Sequence, residues 1–199
     1  MIEKMRNMKL RSRMLLSYAV IIVICLIASI VALFMLNKIG DNLTSFYNNN
    51  YTVTVNVWQA KREMQAARAD ILNAILDSDA NKIEESIEEA KGSLKKMRGT
   101  FPVIRESFKG DLGLVDEVDS LLQQAIVYRD QVFERIEAGE HDEAYQIMKT
   151  YYIPLLDQMA NTLQDIADVA GENALHMVED GEHAQTSAMV TIILIIALS

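Results

Sequence analysis

The sequence is poor in the residues that staple or interrupt a chain. It holds one cysteine, Cys25, among 199 residues. No intramolecular disulfide and no cysteine-based metal site can form, so the folded part must be stable through packing alone. There are two prolines, Pro102 and Pro154, and eight glycines. No low-complexity run or linker breaks the middle of the chain, which argues against disorder. Positive charge is also short: 19 Lys and Arg stand against 28 Asp and Glu, for a net charge of −9. An acidic central part lacks the basic face that nucleic acid requires, so no nucleic-acid partner is expected. Also missing are a nucleophile–base signature, a glycine-rich phosphate loop and a zinc-protease motif. The paired Glu-x-x-His motifs of a di-iron bundle do not occur either. These absences lead us to expect no enzyme, no cofactor and no metal.

What the sequence does have is two apolar runs. Met14–Leu36 reads MLLSYAVIIVICLIASIVALFML, with no charged residue inside. About 20 apolar residues suffice to cross a hydrocarbon core of roughly 30 Å, so a transmembrane helix is expected over 14–36. The run is too long for a signal-peptide core, and no A-x-A site follows it. Residues 1–13 carry Lys4, Arg6, Lys9, Arg11 and Arg13 against Glu3. Basic flanks stay in the cytoplasm, which puts the N-terminus inside and residues 37–187 outside. The second run, AMVTIILIIALS over 188–199, is too short to span by itself. We read it as the start of a second transmembrane helix, truncated here, with an output half beyond it.

Between the runs the apolar residues follow a helical period. Leu36, Leu43, Asn50, Val57, Met64 and Ile71 form one row, and Ile39, Phe46, Val53, Ala60, Ala67 and Ala74 another. This alternation of three and four is the seam of a left-handed bundle, and it predicts one continuous helix over about 14–76. Asn50 either fixes register or pairing with a second chain or is a partly solvated position near the membrane. Asp77-Ser78-Asp79 forms a turn with an N-cap. The second helix carries Ile83, Ile87, Ala90, Leu94, Met97, Phe101, Ile104 and Phe108, with a kink or break expected at Pro102. The segment from Lys109 to Gly113 reads as a turn. The third helix carries Leu114, Val118, Leu121, Ala125, Tyr128, Val132 and Ile136 and ends at Gly139. Asp142 is expected to cap the fourth, which is kinked near Pro154 and continues through Leu156, Leu163, Ala170 and Met177 into the second run. Short connections imply an all-α, up-down-up-down four-helix bundle continuous with two transmembrane helices.

This order of elements resembles the sensor of methyl-accepting chemotaxis proteins. The segments GEHDEAYQIMKTYYIPLLDQM and MKLRSRMLLSYAVII carry a local resemblance to the same family. The resemblance implies a homodimeric receptor for a small molecule, embedded in the cell membrane and coupled to a cytoplasmic kinase-control part. Amino-acid receptors of that family place three arginines along the first helix. Here Lys61, Arg62 and Arg68 do not match their spacing, so aspartate or serine is unsupported as ligand.

The candidate ligand site rests on charge. Lys61, Arg62 and Arg68 have no acid three or four residues away on their own helix, where counter-charges normally lie. Their partner is then another helix, another chain or a ligand. Counting heights from the distal turn sets Arg68 near Tyr151 and Tyr152. Arginine forks suit carboxylates, and tyrosines offer an apolar wall with a hydroxyl tip. Arg62, Arg68, Tyr151 and Tyr152 are therefore the expected ligand-binding residues, for an anionic or zwitterionic small molecule. The competing reading for Arg68 is a salt bridge to Glu88, Glu89 or Asp130. His176, His183, Glu179 and Asp180 could face one side, but a solvated acidic face explains them better than a metal site. Two alternatives remain to the chemoreceptor reading. One is the sensor of a histidine kinase or cyclic-nucleotide enzyme, and the other is a bundle that contacts a partner protein.

Overall fold

A computed structural model describes residues 10–197. Positions 1–9 of the expected basic segment, and positions 198–199 of the second apolar run, lie outside the described residues. Helix α1 spans Leu10–Ser45, followed by a π-helical turn at Phe46–Tyr51 and α2 at Thr52–Leu76. Then come α3 at Ala80–Ser107, α4 at Leu112–Glu137 and α5 at His141–Ile147. A second π-turn at Met148–Tyr152 leads into α6 at Ile153–Ala197. No strand occurs among the described residues. The fold is an all-α four-helix bundle, its helices being α2, α3, α4 and the α5–α6 stretch.

Two compact units are present. One comprises residues 45–174, and the other joins the helix before position 45 to the helix after position 174. In the first, the apolar rows meet in a continuous core. Val57, Met64 and Ile71 of α2 are fully buried, with Met97 of α3, Val132 of α4 and Leu163 of α6. The turns at both ends of the bundle are held by polar contacts. Asp79 caps α3 by accepting from the Asn81 N–H, and Asp111 caps α4 by accepting from the Gly113 N–H. His141 Nδ1 donates to the Ile75 carbonyl at 2.9 Å, tying the fourth helix to the end of the first. Gly139 has φ +76, the left-handed conformation that favours glycine at a helix end. Gly110 is required for another reason: a Cβ there would stand 2.4 Å from Phe108 Cζ and 2.8 Å from Val169 Cγ1.

In the second unit apolar side chains face outward. The most apolar 18-residue window of the first long helix is 0% buried. Residues of α1 from Ala32 to Asn42 and of α6 from Gly181 to Ile192 line a common apolar crevice. His176 pairs with Glu179 at 3.5 Å, both exposed. No cluster with the makings of a metal site occurs among the described residues.

Several expectations need correction. Pro102 does not break α3, which continues to Ser107. Its ring lies on the exposed side, so the carbonyl it leaves without a donor is on the face that water can reach. Asp142 is not the cap of the fourth helix: Glu140 occupies that position without a side-chain bond, and Asp142 sits in the first turn. An acid there still favours the helix dipole. The continuous first helix does form, but its hydrogen bonding widens at FYNNNY, where Asn50 is buried. Near Pro154 the distortion is the π-turn before it, in which the Ile153 N–H bonds the Met148 carbonyl five residues back.

Candidate functional site

The basic residues of α2 are engaged, and by different partners. Lys61 Nζ donates to Gln164 Oε1 at 2.7 Å, and Gln164 Nε2 donates to Asp168 Oδ1 at 2.8 Å. Lys61 also stands 5.1 Å from the centre of the exposed Trp58 ring, a cation–π contact. Arg68 Nη1 lies 3.5 Å from Asp157 Oδ1 on α6, with both side chains partly exposed. Arg62 Nη2 lies 2.6 Å from Glu63 Oε1, its own neighbour in sequence. Glu63 is the buried member of that pair.

The four residues expected to bind ligand do not converge through these contacts. Arg62 bonds Glu63 and Arg68 bonds Asp157. Tyr151 stacks on Tyr128 of α4, with ring centres 4.9 Å apart and planes 8° from parallel. Tyr152 is a core residue, and burial pushes its phenol up to about 12. The acids offered as competitors for Arg68 are not its partners: Glu88 pairs with Lys91 and Asp130 with Arg129. The height rule compared α-carbons. Side chains on antiparallel helices lean toward their own N-termini, so Arg68 meets an acid deeper in the fourth helix than the tyrosines level with its backbone. For Arg62 the expectation of a distant partner fails, because the acid is adjacent in sequence.

A second polar surface lies between α3 and α4. Lys91, Leu94, Lys95 and Arg98 of α3 and Arg129, Asp130 and Phe133 of α4 line an open groove of about 420 Å³. Lys91 is engaged by Glu88 at 2.8 Å, which helps hold its ammonium in the charged form. Arg129 donates from Nε and Nη2 to Asp130 Oδ1. Lys95 and Arg98 meet no acid among the described residues. Leu94, Arg98 and Arg129 also line a smaller space of about 10 Å³, together with Tyr152, Leu156 and Met159.

The helix order and the buried core shared by the four helices fit a sensory bundle. The family described as the four helix bundle sensory module for signal transduction, found in methyl-accepting chemotaxis proteins, matches residues 7–184. The chain belongs to this family. No curated protein and no solved structure gives a match.

In this sensory module, sequence reasoning missed the groove and Glu63. Lys91, Lys95 and Arg98 recur at spacings of four and three, so they share one face of α3. That signal was legible but lay beside the apolar stripe rather than within it. Glu63 is adjacent to Arg62, so it leaves no signal at the three- and four-residue spacings of helical ion pairs. Asp157, across the bundle, leaves no local trace in the sequence.

Proposed function

We propose that this sensory module is the extracytoplasmic half of a bacterial transmembrane chemoreceptor. Two membrane helices hold it, with the N-terminus inside. The bundle binds a small anionic or zwitterionic molecule, and the signal passes through the membrane helices to a cytoplasmic, kinase-coupled part. The observation that carries the membrane reading is the outward-facing apolar surface of α1, none of which is buried in its most apolar window. Such a surface costs roughly 25 cal/mol per Å² in water and nothing comparable in lipid. The basic residues before it supply the inside signal.

The working form is a homodimer. Leu36, Ile39, Leu43 and Phe46 continue the apolar row of α2 but are exposed in one chain. A second copy packed along these helices would cover them. Among the candidate ligand residues, Arg68 is the best placed to exchange partners. Its pair with Asp157 is long and half exposed, so a ligand carboxylate can replace that of Asp157. Tyr151 offers an exposed ring on the neighbouring turn, Arg62 is held by Glu63, and Tyr152 supports the wall from inside the core.

A thermal-shift screen of small carboxylates, amino acids and amines against the full chain in detergent tests the ligand-binding claim. A binder should raise Tm in proportion to the logarithm of its concentration. Arg68→Ala should weaken that response about tenfold while leaving the Tm of the free protein nearly unchanged. No shift from any compound would count against direct small-molecule sensing and leave contact with a partner protein as the reading.

A further inference from the structure

We infer that the groove between α3 and α4 is a binding site for a small organic dianion, in which two carboxylates are joined by a short apolar spacer. This goes beyond the ligand face around Arg68 and holds whether or not that face binds anything.

The first argument is charge. Four cations line the groove against a single lining acid, Asp130, in a chain whose net charge is −9. Two of the four are already engaged, Lys91 by Glu88 and Arg129 by Asp130. Lys95 and Arg98 are not. They lie three residues apart on α3, on one face of the helix, without a carboxylate in reach. The two unpaired cations repel one another, and an anion held between them relieves that repulsion. Arg98 and Arg129 bring planar donor forks suited to carboxylates, and Lys95 brings a point charge.

The second argument is shape. Space of about 420 Å³ falls in the range that holds small molecules. Leu94 and Phe133 supply apolar lining among the charges. An inorganic anion makes no use of them, whereas a hydrocarbon spacer does. The groove shares Leu94, Arg98 and Arg129 with a smaller space of about 10 Å³ that Tyr152 also lines.

Isothermal titration calorimetry on the full chain in detergent tests the site, with succinate, glutarate and phthalate as probes. At least one of the three should bind saturably and more weakly as salt rises. Dimethyl succinate, which lacks both charges, should not bind. The double variant Lys95→Gln/Arg98→Gln should lose affinity by at least about a hundredfold, since each charge-assisted contact removed is worth roughly tenfold or more. Lys96→Gln, adjacent in sequence but outside the groove lining, should bind as the parent does. Lys95 and Arg98 are exposed, so the double variant should keep the parent Tm; if it melts early, Lys95→Gln alone carries the test with about a tenfold loss. Absence of binding by all three probes overturns the inference. So does inorganic phosphate binding as tightly as the best dicarboxylate, because the apolar lining would then play no part. Binding that survives Lys95→Gln/Arg98→Gln and fails in Arg68→Ala also overturns it, while leaving the sensor reading intact.

Discussion

Replacing Arg62 by alanine should cost more stability than an exposed ion pair normally contributes. The Glu63 side chain is 7% exposed, whereas that of Arg62 is 75% exposed. No other described residue bonds the Glu63 carboxylate. Removing one partner of a buried pair costs about 3–5 kcal/mol, and an exposed pair contributes about 0–1 kcal/mol. Here one member is buried and the other is bathed in water that screens it. We therefore expect Arg62→Ala to destabilise the bundle by about 1–3 kcal/mol. A kilocalorie shifts the Tm of a domain this size by roughly 2–4 °C, so the loss should be several degrees. Thermal melts followed by circular dichroism at the helical band measure it directly. Arg62→Ala/Glu63→Leu should recover most of the loss, because it removes the stranded charge and leaves an apolar side chain in its place. An unchanged Tm in Arg62→Ala would refute the reasoning, and so would a double variant that melts as low as the single one. Either result would mean that Glu63 is solvated well enough to stand alone.

Other predictions rest on separate features. Tyr152 has a phenol raised from 10 to about 12, chiefly by burial. The folded state therefore holds its proton where the unfolded state loses it, and the associated stability, present below pH 10, falls away between pH 10 and about 12. Between pH 9 and pH 11.5 the loss should reach about 2 kcal/mol and should be missing in Tyr152→Phe, as measured by urea unfolding. Gly110→Ala should destabilise by about 1–3 kcal/mol in the same assay, because its methyl would collide with the Phe108 ring and Val169. Single cysteines along positions 36–57, in a Cys25→Ser background, should crosslink between chains with heptad periodicity. Aperiodic crosslinking would count against the homodimer.

The four-helix core was legible because its period is dense and uninterrupted. Ile83, Ile87, Ala90, Leu94, Met97, Phe101, Ile104 and Phe108 are expected on one stripe along and just past α3, and all are buried except Ile83, which is partly buried. The same holds for Val53, Ala60, Ala67 and Ala74 on α2. The cap at Asp79 follows from local chemistry. Asn50 lay outside that logic. An amide on an apolar row has no local reason to be buried, and it became so together with a π-turn that period counting cannot foresee. Tyr152 reads in sequence like its neighbour Tyr151. In the second π-turn one ring goes into the core and the other stacks on Tyr128 of α4. The pairing of Arg68 with Asp157 depends on which way two side chains lean, which residue counting cannot capture.

The central claim is that the bundle stands outside a membrane crossed by α1. Single cysteines at Ser12 and Ser78, in a Cys25→Ser background, separate the two sides. In intact cells an impermeant thiol reagent should label position 78, at the distal turn, and leave position 12 untouched until the cells are opened. Labelling of position 12 in intact cells, with none at position 78, would contradict the account.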